Sequence, residues 1–159
     1  MLKIINKITK INFQLFLFGL VKVPMIFYCR PRLIAITDNK LELKIKLNRK
    51  TKNHLNSMYF GVLSVGADVT GGFLAMQTIQ SSKVNIALIF KDFHAEFLKR
   101  AEGDVHFICN EGKSIRKLVK KTEESGEREN LAVNIIAKVP SISDDIVAKF
   151  VLTLSLKKK

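Results

Sequence analysis

The spacing of apolar residues changes along this chain, and each change of period marks an element. Ile4, Ile8, Ile11, Leu15 and Phe18 recur at intervals of three and four, with Lys3, Lys7, Lys10 and Gln14 on a separate polar stripe. That pattern predicts an amphipathic helix. It ends where Lys22 and Pro24 interrupt the apolar run. Residues 32–37 read as extended and Asp38-Asn39 as a turn. Leu41, Leu43, Ile45 and Leu47 then alternate with Glu42, Lys44 and Lys46, as a strand with one solvated face requires. This part is a hairpin or one long bent strand.

Residues 54–82 carry one charged side chain, Asp68, among Phe60, Val62, Leu63, Val65, Phe73 and Leu74. A helix apolar nearly all round has to be buried. Asp68, Ser64, Thr70, Gln77 and four glycines make it a poor membrane span. Each glycine costs about 1 kcal/mol of helix propensity against alanine, and close packing of the helix backbone on a sheet is a reason to accept that cost. Val84, Ile86, Leu88 and Phe90 alternate next, slip phase at Lys91-Asp92, and resume at Phe93, Ala95 and Phe97. The slip predicts a bulge in a long strand. Gly103-Asp104 turns the chain into a strand at Val105, Phe107 and Cys109. Ile115, Leu118, Val119 and Thr122 fit a short amphipathic helix, and two more alternating runs span 131–139 and 147–156. The order is helix, one or two strands, buried helix, two strands, short helix, two strands. The class is α+β, with an antiparallel sheet curled around its single buried helix.

A length of 159 residues suits one domain. We divide the chain into an N-terminal amphipathic helical segment, 1–28, and a domain over 29–159. Lys3, Lys7 and Lys10 ahead of Ile11 to Val21 resemble the start of a signal peptide, but no small-x-small site follows. The apolar run is also well short of the roughly 20 residues of a membrane span. Cys29 and Cys109 stand far apart with no partner spacing, which fits a reducing compartment, the cytoplasm. His54, His94 and His106 have no spacing that would put two ligands on one helical face, so no metal is expected. Gly112-Lys113-Ser114 lacks the earlier glycine of a phosphate loop.

The net charge is +13, concentrated early: residues 1–50 hold eleven Lys and Arg against Asp38 and Glu42. Either a solvated basic face or an acidic partner accounts for this: nucleic acid, an anionic membrane, or a phosphate-rich ligand such as coenzyme A. Nucleic acid is disfavoured, because there are only six arginines and no recognisable motif. A membrane surface reached through residues 1–28 remains open, since a basic stripe opposite Phe13, Phe16 and Phe18 is also what interfacial helices carry.

The order of elements is similar to the hot-dog fold, a long central helix wrapped by a curved antiparallel sheet. Residues 53–68 resemble the signature of small acyl-CoA thioesterases of the phenylacetyl-CoA type. That pattern has an Asn, a Gly three residues on, a His-Gly-Gly opening the central helix, and an acid seven residues after the second Gly. Here Asn53 matches the Asn, Asn56 stands at the first Gly, Tyr59-Phe60-Gly61 stands at His-Gly-Gly, and Asp68 matches the acid. The stretch from Phe93 to Arg128, with Lys99-Arg100-Ala101-Glu102-Gly103-Asp104, also resembles a branch of thioesterase-like hot-dog proteins. The likeness covers residues 30–156.

Thioester hydrolysis needs a base or nucleophile beside the carbonyl carbon and a donor for the oxyanion. The first-turn amides of a buried helix lack intrahelical partners and suit the second role. Phe60 and Gly61 are the candidates for it, with Asp68 as base or nucleophile and Asn53 orienting water or substrate. Around them Asn56, Tyr59, Val65 and Gly72 are the expected substrate contacts. The bland alternatives are a satisfied buried carboxylate for Asp68, a turn or cap residue for Asn53, and a half-buried aromatic for Tyr59. His94 and His106 read as sheet residues. The resemblance implies a homodimer or dimer of dimers, with Asp68 of one subunit facing the helix start of the other. Its substrate would be an acyl-CoA or related acyl thioester, with coenzyme A part of the substrate rather than a cofactor. A non-catalytic acyl- or lipid-binding protein of the same fold is the alternative.

Overall fold

The computed structural model describes residues 2–82 and 84–159, with side chains from residue 7 onward. Ile4 and Lys3, placed on the first helix from sequence, therefore have side chains outside the described residues. The elements run α1 (Leu2–Val21), α2 (Pro24–Cys29), β1 (Arg32–Ile36), β2 (Leu41–Ile45), α3 (Phe60–Ile79), β3 (Ile86–Phe97), β4 (Val105–Cys109), α4 (Gly112–Ser125), β5 (Glu129–Val139) and β6 (Ser143–Lys158). Six antiparallel strands form one sheet in the order β1-β2-β4-β5-β6-β3.

The central helix packs against every strand from β2 to β3, so the sheet wraps it. Its glycines repay their propensity cost in contact. A Cβ on Gly66 would lie 2.2 Å from the Phe107 ring, so that aromatic rests directly on the helix backbone. α3 is long and apolar enough to cross a membrane, but 61% of its apolar window is buried inside the fold, where it serves as the core.

The expected hairpin is β1-β2, closed by Thr37 N–H donating to the Lys40 carbonyl. β2 alternates buried and half-buried residues as read, and β3 pairs with β6 through a register shift between Phe90 and Phe93, at the predicted bulge. α4 buries Ile115, Leu118, Val119 and Thr122. His94 and His106 sit on β3 and β4, with His106 Nδ1 2.8 Å from Glu42 Oε1.

On α1, Ile11 and Leu15 are buried and Ile8 and Phe18 pack against the core, while Phe13 and Phe16 face outward. Phe18 thus belongs to the inward stripe and not to the outer face. The element missing from the sequence reading is α2. Pro24 stands at its first turn, where a missing N–H costs nothing, so the residue that ends one helix starts the next. Gly19 lets the two helices touch: a Cβ there would lie 2.8 Å from the backbone nitrogen of Phe27.

Candidate active site

The loop before α3 is held by short polar side chains. The buried Thr51 hydroxyl donates to the Lys46 carbonyl at 2.7 Å, and Met58 and Tyr59 N–H donate to the carbonyls of Ala101 and Thr51. Asn53 Oδ1 accepts from the amides of Leu55 and Ser57 at 2.9 and 3.2 Å, so this side chain organises the turn. Asn56 has φ +59°, with Lys52 Nζ donating to its Oδ1 at 2.8 Å. A left-handed backbone explains a Gly at this place in the thioesterase pattern, and asparagine is among the side chains that tolerate it best.

Tyr59 caps α3 with extended backbone and no side-chain bond to the helix. The amides of Val62 and Leu63 donate back to its carbonyl, leaving those of Phe60 and Gly61 with no acceptor among the described residues. They point out of the positive end of a twenty-residue helix. A Cβ on Gly61 would lie 2.5 Å from the Tyr59 ring, which covers one side of that turn. The helix start opens on a cavity of about 610 Å³ walled by Asn53, His54, Tyr59, Phe60, Lys99 and Arg100, among others.

Asp68 lies eight residues further on, roughly 12 Å along the axis at about 1.5 Å per residue. It is half-buried and makes no hydrogen bond or ion pair among the described residues. Burial pushes its pKa above the ordinary carboxylate value, because the charged form loses hydration and nothing replaces it. It borders a second cavity of about 200 Å³ whose other walls are apolar: Leu15, Phe18 and Ile26 from α1 and α2, Gly72 from α3, and Leu88 and Phe90 from β3. Gly72, one turn after Asp68, admits the Phe90 ring, which a Cβ would meet at 3.3 Å. Val65, one turn before, is half-buried against the core.

One subunit therefore brings Asn53, Tyr59 and Phe60 together at one cavity and Asp68 and Gly72 at another, without joining the two. The walls from α1, α2 and β3 escaped the sequence reading. Alternation on β3 announced an inward face but not its neighbours, and no local signal links residue 15 to residue 68. Lys99 and Arg100 had a signal, lying in the stretch that resembles thioesterase-like proteins. Among the described residues no group of three His, Cys, Asp or Glu side chains is placed to hold a metal.

The profile of a family described as a domain of unknown function, DUF4442, matches residues 13–155. The chain belongs to the DUF4442 family. This DUF4442 domain has the hot-dog fold. A Shewanella oneidensis protein to which thioesterase function is ascribed superposes with a TM-score of 0.79 at 13% identity, covering 94% of this chain and 99% of that one. A Chlorobaculum tepidum protein of unknown function gives 0.81 at 12% identity, covering 96% and 97%. The Haemophilus influenzae thioesterase gives 0.64 at 14% identity, covering 89% and 88%. No curated protein sequence matches this DUF4442 domain.

Proposed function

We propose that the chain hydrolyses acyl thioesters at a site completed between two subunits. The observation that carries this reading is Asp68, a carboxylate on the core helix with no partner among the described residues, in the wall of an otherwise apolar cavity. Unpaired, desolvated carboxylates gather where chemistry is done. Asp68 takes a proton from water as the water oxygen bonds to the thioester carbonyl carbon, and the Phe60 and Gly61 amides receive the oxyanion. The C–S bond then breaks and the thiolate takes up the proton, giving a carboxylic acid and a free thiol. If Asp68 attacks directly, water opens the resulting anhydride to the same products. Lys99 and Arg100, at the rim of the helix-start cavity, suit the phosphates of coenzyme A. No metal is invoked, so EDTA leaves turnover unchanged; loss restored by zinc would overturn that part.

The sheet edge supports the assembly. Among the described residues β3 pairs only with β6, which leaves its other edge free. Phe93 and Phe97 touch Phe150 on the helix side of the sheet, and Phe97 also meets Phe60 of α3 edge to face, yet the two remain 43% and 49% exposed. Leu88 and Phe90 wall the Asp68 cavity, and Phe97 and Lys99 the helix-start cavity, one toward each end of β3. Antiparallel pairing of two β3 edges about a two-fold axis near Phe93 sets residue 89 against residue 97 of the second copy. Each Asp68 cavity then meets the other subunit's helix start, and both free edges disappear. The two buried, free cysteines suit a reducing compartment such as the cytoplasm.

Thiol release from short, medium and aryl acyl-CoA esters, measured beside the melting temperature for wild type and Asp68→Asn, tests the assignment. Unchanged turnover in a folded variant overturns it. The Tyr59 ring over Gly61, with Tyr59 at the His and Phe60 at the first Gly of the His-Gly-Gly in the thioesterase pattern, favours a second reading as an acyl-binding protein. Thermal stabilisation by acyl-CoA with no thiol release from any ester would decide for that reading.

A further inference from the structure

The outward faces of α1 and α2 form a surface that the hydrolytic reading does not use. Phe13, Phe16, Leu17, Leu20 and Val21 follow one another along α1 at helical spacing, and all are exposed, Phe13 and Val21 by more than 60%. Met25 and Tyr28 continue the surface on α2 at 59% and 50%. A contiguous patch of large apolar side chains marks a surface that something covers. Phe16 and Phe27 pack edge to face across the two helices, and behind them a groove of about 490 Å³ runs from Phe13 to Arg30 and Arg32.

Charge selects what covers it. Residues 1–37 contain six Lys and Arg and no Asp or Glu. Lys7, Lys10, Lys22, Arg30 and Arg32 are exposed, and none pairs with a carboxylate among the described residues. The Arg30 guanidinium lies 5.5 Å over the Phe27 ring and Lys50 Nζ the same distance over Tyr28, so cations edge the aromatic surface. Arg30 also holds a left-handed helix cap, φ 50°, where glycine is the usual occupant. A second copy docked here would set these five cations against five more. Exposed aromatics ringed by unneutralised cations match the boundary between headgroups and acyl chains of an anionic bilayer.

We infer that the outer face of α1 and α2 docks this protein on an anionic lipid bilayer. The inner faces of the same helices wall the Asp68 cavity through Leu15, Phe18 and Ile26, so docking sets that cavity beside the membrane, one helix away from acyl chains.

The test uses the full chain and vesicles of phosphatidylcholine with or without an equal share of phosphatidylglycerol. Sedimentation should carry the protein with the phosphatidylglycerol vesicles, not with pure phosphatidylcholine, and high salt should weaken the association. Phe13→Ser with Leu20→Ser, and separately Lys10→Glu with Lys22→Glu, should each weaken vesicle binding by at least ~10-fold. These side chains are exposed, so melting temperature and turnover of a soluble short-chain ester should stay at wild-type values. The protein has no tryptophan; Leu17→Trp therefore gives a single reporter whose emission should shift to the blue on phosphatidylglycerol vesicles alone. No binding, equal binding to both vesicles, wild-type binding by both double variants, or an unshifted reporter overturns the inference. So does light scattering in which either double variant dissociates an oligomer, since the face would then be an interface between copies.

Discussion

The two cavities along α3 differ in size, chemistry and what each lacks. The one at Asp68 is small and apolar, with a single desolvated carboxylate and, among the described residues, no side-chain donor in its walls to stabilise a developing oxyanion. The one at the helix start is about three times larger, has two free amides and a rim with Lys99 and Arg100, and no carboxylate in its walls. A buried base and a cationic cradle in one small pocket would neutralise each other, since a nearby cation draws a carboxylate pKa down and weakens it as a base. Keeping them on separate stretches of one helix preserves both properties. Under the proposed function the separation is undone by a second copy joined along β3.

The largest expected effect comes from keeping the halves apart. Phe93→Asp puts a charge at the centre of the free β3 edge, where two copies would face each other. Light scattering should report one subunit mass where wild type gives two, and thioester hydrolysis should vanish with the dimer. A monomeric wild type, or a monomeric variant with full turnover, breaks the comparison, because one subunit would then hold a complete site.

Next comes the carboxylate. Asp68→Asn keeps shape and removes the charge, so hydrolysis should fall by at least ~100-fold, the low end of what positioned proton transfer contributes. The assembly should persist, which separates this variant from Phe93→Asp. In wild type, turnover should fall on acidification at a higher pH than an ordinary carboxylate would give, because burial raises the Asp68 pKa and only the ionised form acts as base.

How much of this was legible follows from what periodicity encodes. Alternation at Leu41, Leu43 and Ile45, the all-apolar run of α3 and the phase slip at Lys91-Asp92 are local, and each became the expected element. Asp68 was conspicuous as the one charge in residues 54–82. Alternation assigns a face, however, not a neighbour. Nothing in 86–97 says that β3 lies at the sheet edge beside β6, although that position leaves Phe93 and Phe97 about half exposed. α2, at six residues, is too short to display a period. The walls that Leu15 and Ile26 lend to Asp68 depend on how that short helix folds back on α1, set by Gly19.

A smaller effect should mark the helix-start cavity. Lys99→Ala with Arg100→Ala removes two exposed cations from its rim; Lys99 also gives up an exposed 2.7 Å pair with Asp145 that is worth little. KM for acyl-CoA should rise a few-fold, with kcat and melting temperature unchanged and the difference from wild type shrinking in high salt. An acyl thioester without the nucleotide part of coenzyme A should show no such rise. An equal rise for both substrates would mean that these cations act on the acyl half, where the comparison assigns none.

The smallest effect is on stability, and its sign follows from the unpaired state of Asp68. Its pKa is raised in the folded protein above the ordinary value of 3.8. Between those two values the folded protein holds a proton that the unfolded chain has released, so stability falls as pH rises through that window and stays lower above it. Asparagine at this position carries no charge at any of these pH values, and no ion pair or hydrogen bond is broken, because Asp68 makes none among the described residues. At neutral pH Asp68→Asn should therefore melt above wild type, by roughly 2–4 °C for each kcal/mol of relief in a chain of this size. The gap should close on acidification as the wild-type carboxyl takes up its proton. A variant that melts below wild type at neutral pH would show instead that the ionised carboxylate is held by favourable contacts, and the contrast between a desolvated base and a polar helix start would lose its first half.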